Sequence, residues 1–182
     1  MLNPVAIGDR IYFRPLEIED IKNGWQQWIN DENSNEFLDG IYPVSKENLI
    51  KYFNENQPPK AVIFSICDKA SDTYFGNAKL GSIDWVNKRC TYGRLIGKKE
   101  YRGKGYGSEA LIMLVKYGFL KLGMNRIYSG AIEDNVASLK SNEKVGFVKE
   151  GTQREAVYRN GKFVNIVSLA MTKKDFDKKY LK

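Results

Sequence analysis

Apolar residues recur at two spacings along the chain, and each spacing predicts a different kind of element. Apolar positions three and four residues apart over 110–122 predict an amphipathic helix, with Gly123 as its C-terminal cap. Similar patterns predict further helices over 17–30, 45–53 and 135–145. The chain therefore contains several helices that each have one apolar face.

Short runs rich in apolar and β-branched residues predict strands between these helices. The runs are 11–16, 61–67, 79–86, 91–96 and 126–132. From Val148 onward, two longer strands are joined by Asn160-Gly161, a pair that favours a type I′ hairpin turn. The alternation predicts a single α+β domain over 1–182, with a mixed, mostly antiparallel central sheet.

The composition is that of a folded protein, because 42% of the residues are hydrophobic and 13% are aromatic. No apolar run reaches membrane-spanning length and the N-terminus has no secretion-signal pattern, so we expect no membrane association. Cys67 and Cys90 lie in separate predicted strands without metal ligands nearby. This placement indicates reduced thiols in a cytoplasmic protein.

The chain contains no histidine. It therefore lacks the commonest general base, the commonest zinc ligand and the base of Ser-His and Cys-His nucleophile systems. Any catalysis must depend on carboxylates, hydroxyl groups, backbone dipoles and water. We expect no metal cofactor.

The net charge of +7 is distributed unevenly along the chain. Residues 17–45 contain seven acids and only Lys22 as a cation, whereas residues 98–104 contain four cations and only Glu100 as an acid. A nucleic-acid-binding protein would not concentrate its acids in this way, so a nucleic-acid partner is disfavoured. The basic segment predicts the place where a polyanionic ligand binds.

The most informative segment is Tyr101-Arg102-Gly103-Lys104-Gly105-Tyr106-Gly107-Ser108-Glu109. Its alternating glycines leave the backbone open to a ligand, two cations lie in the same turn, and a helical pattern begins at once. A helix start of this kind binds anions, above all a phosphate or diphosphate. The spacing fits neither a P-loop nor a dinucleotide-binding fingerprint. Taken alone, the segment is equally compatible with a basic, glycine-rich surface turn.

Arg102–Gly107 fits the pattern (Gln/Arg)-x-x-Gly-x-(Gly/Ala) at every fixed position, and three motifs follow it in order. They are Asn135-x-x-Ser138, Glu143-Lys144-x-Gly146-Phe147 and Glu150-Gly151. Together the motifs resemble those of the GNAT N-acetyltransferases, which use acetyl-coenzyme A (acetyl-CoA). The resemblance implies a GNAT fold with helices on both faces of the sheet. It also implies direct attack of an amine on the thioester.

The resemblance further implies which residues bind acetyl-CoA. The strand before the loop, with Leu95 and Ile96, would pair with the pantetheine arm. Asn135 would hydrogen-bond the same arm, cap the following helix, or do both. Lys98 or Lys104 would approach the 3′-phosphate. The diphosphate would be held by the turn that contains Arg102, Gly103, Lys104, Gly105, Tyr106, Gly107 and Ser108.

At two catalytic positions the chain departs from frequent family patterns. Many members carry a tyrosine acid where this chain has Asn142. In this respect the chain resembles a branch that includes ribosomal-protein N-terminal and nucleotide-linked amino-sugar acetyltransferases, in which the serine that matches Ser138 is the candidate acid. Some members use a glutamate base where this chain has Val157. Glu155, two residues earlier and on the same strand face, is our candidate base, with an ion-paired surface residue as the alternative. Tyr92 is a second candidate, with a packed aromatic as its alternative.

Two short segments indicate the acceptor amine. Trp25–Asp31 and Gly151–Glu155 resemble acetyltransferases of surface-polysaccharide pathways, which favours an amino sugar, free or nucleotide-linked. N-terminal amines of ribosomal proteins, polyamines and aminoglycosides stay as alternatives. A non-catalytic acyl-CoA-binding module on the same fold is a further alternative. A homodimer is also left open.

Overall fold

The computed structural model describes residues 1–32 and 42–181. Within them, eight strands form one sheet in the order β1-β2-β3-β4-β5-β6-β8-β7. The strands are β1 (Ala6–Ile7), β2 (Ile11–Pro15), β3 (Val62–Asp68), β4 (Tyr74–Asp84), β5 (Arg89–Ile96), β6 (Arg126–Ile132), β7 (Val148–Arg159) and β8 (Lys162–Thr172). The helices are α1 (Trp25–Asn30), α2 (Lys46–Glu55), α3 (Tyr106–Lys116), α4 (Val136–Val145) and α5 (Lys173–Tyr180).

The sheet is mixed, and among the described strands β5 and β6 form its single parallel pair. All other neighbouring strands run antiparallel. Parallel neighbours need a crossover connection, and here the crossover carries the glycine loop and α3. This topology places the start of α3 beside the C-terminal end of β5. The predicted α+β class, with a mostly antiparallel sheet, is confirmed.

Different helices cover the two faces of the sheet. On one face, α3 and α5 contribute to the main core, whose members include Leu80, Leu111, Leu114, Ile127 and Phe176. On the other face, α1 and α2 contribute to a smaller cluster formed by Leu16, Ile21, Trp25 and Leu49. The prediction of helices on both faces is confirmed.

The predicted helix over 17–30 is interrupted, which corrects the sequence interpretation. A 3₁₀ turn (Ile18–Ile21) and the short helix α1 replace it, and Gly24 between them has φ +140°. Asp20 in this turn points inward, and its Oδ1 accepts a hydrogen bond from Arg14 Nη2 at 2.6 Å. Because both side chains are buried, the pair fixes the turn against β2. The chain then enters α1 through a conformation that only glycine adopts readily.

Several boundaries differ from the predicted ones, and others agree. Strand β4 begins earlier than expected, at Tyr74, and the two-residue strand β1 had no pattern to predict it. Helix α3 continues into a π-helical turn (Tyr117–Lys121) before Gly123, which has φ +65°. Strand β6 matches its predicted range, and Asn160 and Gly161 have φ values of +47° and +80°, as a type I′ turn requires.

Cys67 and Cys90 are both buried and free, and burial raises the pKa of the Cys90 thiol to about 12. In the part of the chain that the structure describes, no helix is both long and apolar enough to cross a membrane. The same residues contain no group of three His, Cys, Asp or Glu side chains placed to hold a metal ion. Glu36 and Asp39, two of the seven acids in 17–45, lie outside the described residues.

Candidate active site

Strands β5 and β6 pair only at their N-terminal ends. The parallel pairs are Arg89↔Arg126, Cys90↔Ile127 and Thr91↔Tyr128, and beyond them the two strands separate. Residues 92–96 therefore have one strand edge without a β6 partner. A cleft of about 760 Å³ opens between the separated ends and reaches the glycine loop. An unpaired edge of this kind offers N–H and C=O groups to an extended ligand.

The glycine loop forms one end of the cleft. Gly103 and Gly105 have φ values of +71° and +85°, which glycine adopts without strain. Gly105 is the N-cap of α3, which begins at Tyr106. Within the described part of the chain, the main-chain N–H groups of residues 103–107 have no hydrogen-bond acceptor. They lie at the positive end of the α3 dipole, in an arrangement that can bind an anion.

The residues on either side of these N–H groups already have partners. The N–H groups of Arg102 and Ser108 each donate to a carbonyl three residues earlier, at 3.0 and 3.1 Å. The Arg102 side chain donates from Nε to Ile96 O at 2.9 Å and from Nη2 to Gly97 O at 2.6 Å. Arg102 therefore holds the loop against the end of β5. The residues between Arg102 and Ser108 are available to a ligand.

An arginine and three aromatic rings support the loop from behind. The sequence analysis placed Tyr101 and Tyr106 in the loop segment, with Tyr106 in the diphosphate-binding turn, but it did not find Arg10 or Phe75. Tyr101 stacks on Phe75 with 4.0 Å between the ring centroids, and Tyr106 packs edge-on against the same ring. Arg10 lies 4.2 Å from the centroid of the Tyr106 ring and donates from Nη1 to Lys104 O at 3.0 Å. No local pattern could predict this contact, because Arg10 and Lys104 are 94 residues apart.

Cations line the cleft, and its described lining residues include no carboxylate. The cations are Arg94, Arg102, Lys140 and Lys144. Lys98 and Lys104, which the resemblance placed near a 3′-phosphate, are not among the lining residues, whereas Lys140 and Lys144 on α4 are. The charge of the cleft suits a polyanionic ligand.

Helix α4 forms another wall of the cleft. Asn135 is its N-cap, and Asn135 Oδ1 accepts a hydrogen bond from Ser138 N at 3.0 Å. Both residues line the cleft. Ser108 Oγ and Ser141 Oγ are 2.8 Å apart, which joins α3 to α4. The capping role of Asn135 is confirmed, and its contact with a ligand stays a prediction.

Tyr92, Asn142 and Ser138 form a hydrogen-bonded chain beside the cleft. The Tyr92 hydroxyl donates to Asn142 Oδ1, and Asn142 Nδ2 donates to Ser138 O at 2.9 Å and approaches Ser138 Oγ at 3.4 Å. Asn142 is fully buried. Burial also raises the pKa of Tyr92, so its hydroxyl stays protonated at neutral pH. The Tyr92 ring packs on the Phe147 ring, with 4.9 Å between their centroids. The role of Tyr92 as an acid stays a prediction.

Glu155, the candidate base, is not among the residues that line the cleft. Strand β7 departs from regular pairing with β8 over 153–157, and Glu155 has φ +51° within this bulge. Its N–H donates to Asn165 Oδ1 at 2.8 Å, and its side chain is exposed. Asn165 Nδ2 donates in turn to Glu133 Oε2 at 3.0 Å. Glu133, which the sequence analysis did not identify, directly follows Ile132 of the cleft lining.

A family description, the acetyltransferase (GNAT) domain, matches residues 10–148. The chain belongs to the GNAT acetyltransferase family. Among its GNAT relatives, the N-acetyltransferase p20 of Bacillus licheniformis is 30% identical over 175 residues, covering 92% of this chain and 96% of the relative. Spermidine N(1)-acetyltransferase of Escherichia coli (strain K12) is 25% identical over 164 residues, covering 88% and 85% of the two chains.

The fold is similar to that of a solved GNAT structure, the spermidine N-acetyltransferase of Vibrio cholerae in complex with CoA and spermine. The TM-score is 0.85 at 20% identity, and the match covers 92% of this chain and 98% of the other. The predicted GNAT fold is confirmed. The lean toward an amino sugar finds no support in these three relatives, two of which are named as spermidine acetyltransferases.

As a GNAT enzyme, the chain is an acyltransferase that uses acetyl-CoA as its acyl donor. Its own residues fit this substrate. The free N–H groups of residues 103–107 can bind the diphosphate, and the unpaired edge of residues 92–96 can pair with the pantetheine arm. The lining cations match the negative charge of the coenzyme.

Proposed function

We propose that this GNAT enzyme transfers the acetyl group of acetyl-CoA to a primary amine of a small cationic molecule of the polyamine class. The shape of the cleft supports the first part of the proposal, the use of acetyl-CoA as the acetyl donor. The unpaired edge of the cleft, residues 92–96, extends from the free N–H groups of the loop toward Tyr92 and Ser138. This layout suits a ligand with a diphosphate at one end and a thioester at the other.

The amine attacks the thioester carbon directly, so that a C–N bond forms and the C–S bond breaks. A lysine-like amine has a pKa of about 10.4, so it must lose a proton before it reacts. Glu155, or Glu133 on the other side of Asn165, accepts this proton through water, because neither side chain lines the cleft. A main-chain N–H of residues 92–96 stabilises the oxyanion.

Ser138 protonates the departing thiolate in this scheme. Its hydroxyl lies at the cleft, and Asn142 holds it through the contact between Asn142 Nδ2 and Ser138 Oγ at 3.4 Å. Asn142 is in turn held by the hydroxyl of Tyr92. Tyr92 therefore acts as a positioning residue, with the direct acid role as its alternative.

Charge supports the polyamine class. Residues 17–45 contain seven acids and a single cation, and α1 in this segment packs on the sheet face opposite α3. We assign attraction of a cationic amine to the acids of this segment other than Asp20, which pairs with Arg14. An anionic nucleotide sugar would instead need arginines at the site. Arg89, Arg94, Arg154 and Arg159 are the arginines that the sequence offers for this purpose, and of these four only Arg94 is among the described residues that line the cleft.

A cytoplasmic location belongs to the same proposal. Cys67 and Cys90 are free thiols in buried positions, which is typical of proteins from a reducing compartment. Homodimer formation stays a prediction.

Release of free CoA thiol from acetyl-CoA, measured with a panel of amines, tests the proposal. We expect spermidine and spermine to give a higher kcat/KM than a nucleotide-linked amino sugar, an aminoglycoside or an N-terminal ribosomal-protein peptide. Mass spectrometry of the amine would show one added acetyl group. Preference for another amine would overturn the acceptor class alone. CoA binding without turnover on any amine would favour a non-catalytic acyl-CoA-binding module.

A further inference from the structure

Arg94 has a buried donor that the rest of the described protein leaves unused. The residue lies in the middle of the unpaired edge of β5 and lines the cleft. Its Nη1 is inaccessible to solvent and has no hydrogen-bond partner among the described residues. Buried guanidinium groups normally pair their donors, because an unpaired buried charge is costly.

The Arg94 side chain lies beside the start of α3. A methyl group at Gly107 would be 3.6 Å from Arg94 Nε and 3.7 Å from Ile96 Cγ1. Gly107 is one of the residues whose main-chain N–H has no acceptor in the described chain. The unused donor of Arg94 and the anion-binding site therefore lie in the same part of the cleft. Arg102 differs from Arg94 in this respect, because its side chain donates hydrogen bonds to the carbonyls of Ile96 and Gly97.

No carboxylate in the described lining of the cleft neutralises Arg94. Its titratable neighbour is Tyr92, whose own pKa is raised by burial, so this neighbour carries no charge at neutral pH. Burial lowers the pKa of the Arg94 guanidinium, as expected for a cation without a counter-ion. An anionic ligand in the cleft would supply the missing charge.

We propose that Arg94 is a direct ligand of coenzyme A: when the coenzyme binds, the guanidinium turns toward the cleft, and its Nη1 donates a hydrogen bond to a diphosphate oxygen held by the N–H groups of residues 103–107. This inference rests on the proposed function, because it requires coenzyme in the cleft. The guanidinium gains its counter-ion only when the coenzyme binds. Arg94 therefore contributes to coenzyme affinity without contributing to the stability of the free protein.

Titration calorimetry on Arg94→Met and Arg89→Met tests the inference. Arg89 is a matched control on the same strand, because it pairs with Asp84 at 3.2 Å and does not line the cleft. We expect Arg94→Met to bind CoA roughly 10- to 100-fold more weakly than the wild type, since a charge-assisted hydrogen bond is lost. Arg89→Met should bind CoA like the wild type.

Fragments of the coenzyme locate the contact. Dephospho-CoA lacks the 3′-phosphate and should show the same loss in Arg94→Met as CoA does. Adenosine 3′-monophosphate lacks both phosphates of the diphosphate and the pantetheine arm, so it should bind wild type and variant alike. An equal loss with this fragment would overturn the diphosphate contact. Arg94→Lys keeps the charge but not the planar donors, so its CoA affinity should lie between those of the wild type and Arg94→Met.

Thermal unfolding separates ligand binding from a structural role. Without CoA, Arg94→Met should unfold at the same temperature as the wild type or higher, because an apolar side chain replaces an unpaired buried cation. With saturating CoA, its gain in Tm should be smaller than that of the wild type. A lower Tm without CoA, together with unchanged CoA affinity, would overturn the inference and leave the proposed function standing. Failure of the wild type to bind CoA would overturn both.

Discussion

Gly97 lies so close to the indole of Trp28 that a methyl group at position 97 would be 1.9 Å from Trp28 Cδ2. Gly97 directly follows β5, and its carbonyl accepts a hydrogen bond from Arg102 Nη2. Trp28 belongs to α1, in the acidic segment to which we assign attraction of the amine. The contact therefore joins the acceptor side of the enzyme to the strand and loop assigned to acetyl-CoA.

Gly97→Ala should destabilise the protein, because the buried Trp28 ring must move to admit the methyl group. Overpacking of this kind costs about 1–3 kcal/mol in the free energy of unfolding, and urea unfolding with tryptophan fluorescence would measure it. Gly151→Ala is the matched control, since a methyl group there meets nothing within 4 Å. Equal stability of the two variants would contradict the close contact.

Gly105→Val should abolish CoA binding. A branched side chain at Gly105 is strained at φ +85°, and its Cβ would lie 3.4 Å from Arg10 Nη2. The loop must therefore shift, and its N–H groups no longer converge on the diphosphate. Gly161→Val is the matched control, because Gly161 has nearly the same φ, +80°, in the β7–β8 hairpin and is not among the residues that line the cleft. Both variants should lose about 1–3 kcal/mol of stability from backbone strain.

CoA affinity should distinguish these two variants. Titration calorimetry should detect no CoA binding by Gly105→Val and wild-type affinity in Gly161→Val. Wild-type affinity in a folded Gly105→Val protein would reject the loop as the diphosphate site.

The parts of the fold that the sequence predicts well depend on neighbouring residues. The type I′ turn follows from Asn160-Gly161 alone, and the left-handed turn that leads into α3 follows from the glycine spacing. Strand β6 is an apolar run between a turn and a helix cap, and its boundaries agree with the prediction. In each case the interaction that decides the structure lies within a few positions in the chain.

The features that the sequence could not predict depend on distant residues. Whether Gly24 interrupts a helix depends on the pairing of Asp20 with Arg14 on a strand. The hydrogen bond from Arg10 to Lys104 O depends on how the residue just before β2 packs against the loop. The position of Glu155 outside the cleft lining follows from a β7 bulge, which strand periodicity does not predict.

Tyr92→Phe should reduce stability and activity together. The change leaves the buried Asn142 Oδ1 without its donor, which costs about 1–3 kcal/mol, and it loosens the amide that approaches Ser138. Tyr158→Phe is the control, because Tyr158 is exposed on β7. Urea unfolding and kcat would be measured for both variants.

The pH dependence of kcat separates positioning by Tyr92 from direct acid catalysis. Burial raises the folded-state pKa of Tyr92 above its ordinary value of about 10, so the residue stays neutral over the working range and any stability it contributes declines only above that pH. If Tyr92 is a positioning residue, Tyr92→Phe should lower kcat by a similar factor at every pH. Loss of an alkaline limb in the kcat profile, with stability retained, would identify Tyr92 as the acid.

Glu155→Gln should lower kcat/KM by about 100-fold at pH 7 and much less at pH 9, if Glu155 accepts the amine proton. The reason is that a lysine-like amine has a pKa of about 10.4, so its neutral fraction rises nearly tenfold per pH unit in this range and the need for a base declines. Glu133→Gln tests the other candidate base, whose carboxylate accepts a hydrogen bond from Asn165 Nδ2. Glu150→Gln is the control on β7, because Glu150 pairs with Arg126 and is not among the cleft-lining residues. An equal loss at both pH values would remove Glu155 as the base. A pH-dependent loss in Glu133→Gln alone would transfer the role to Glu133.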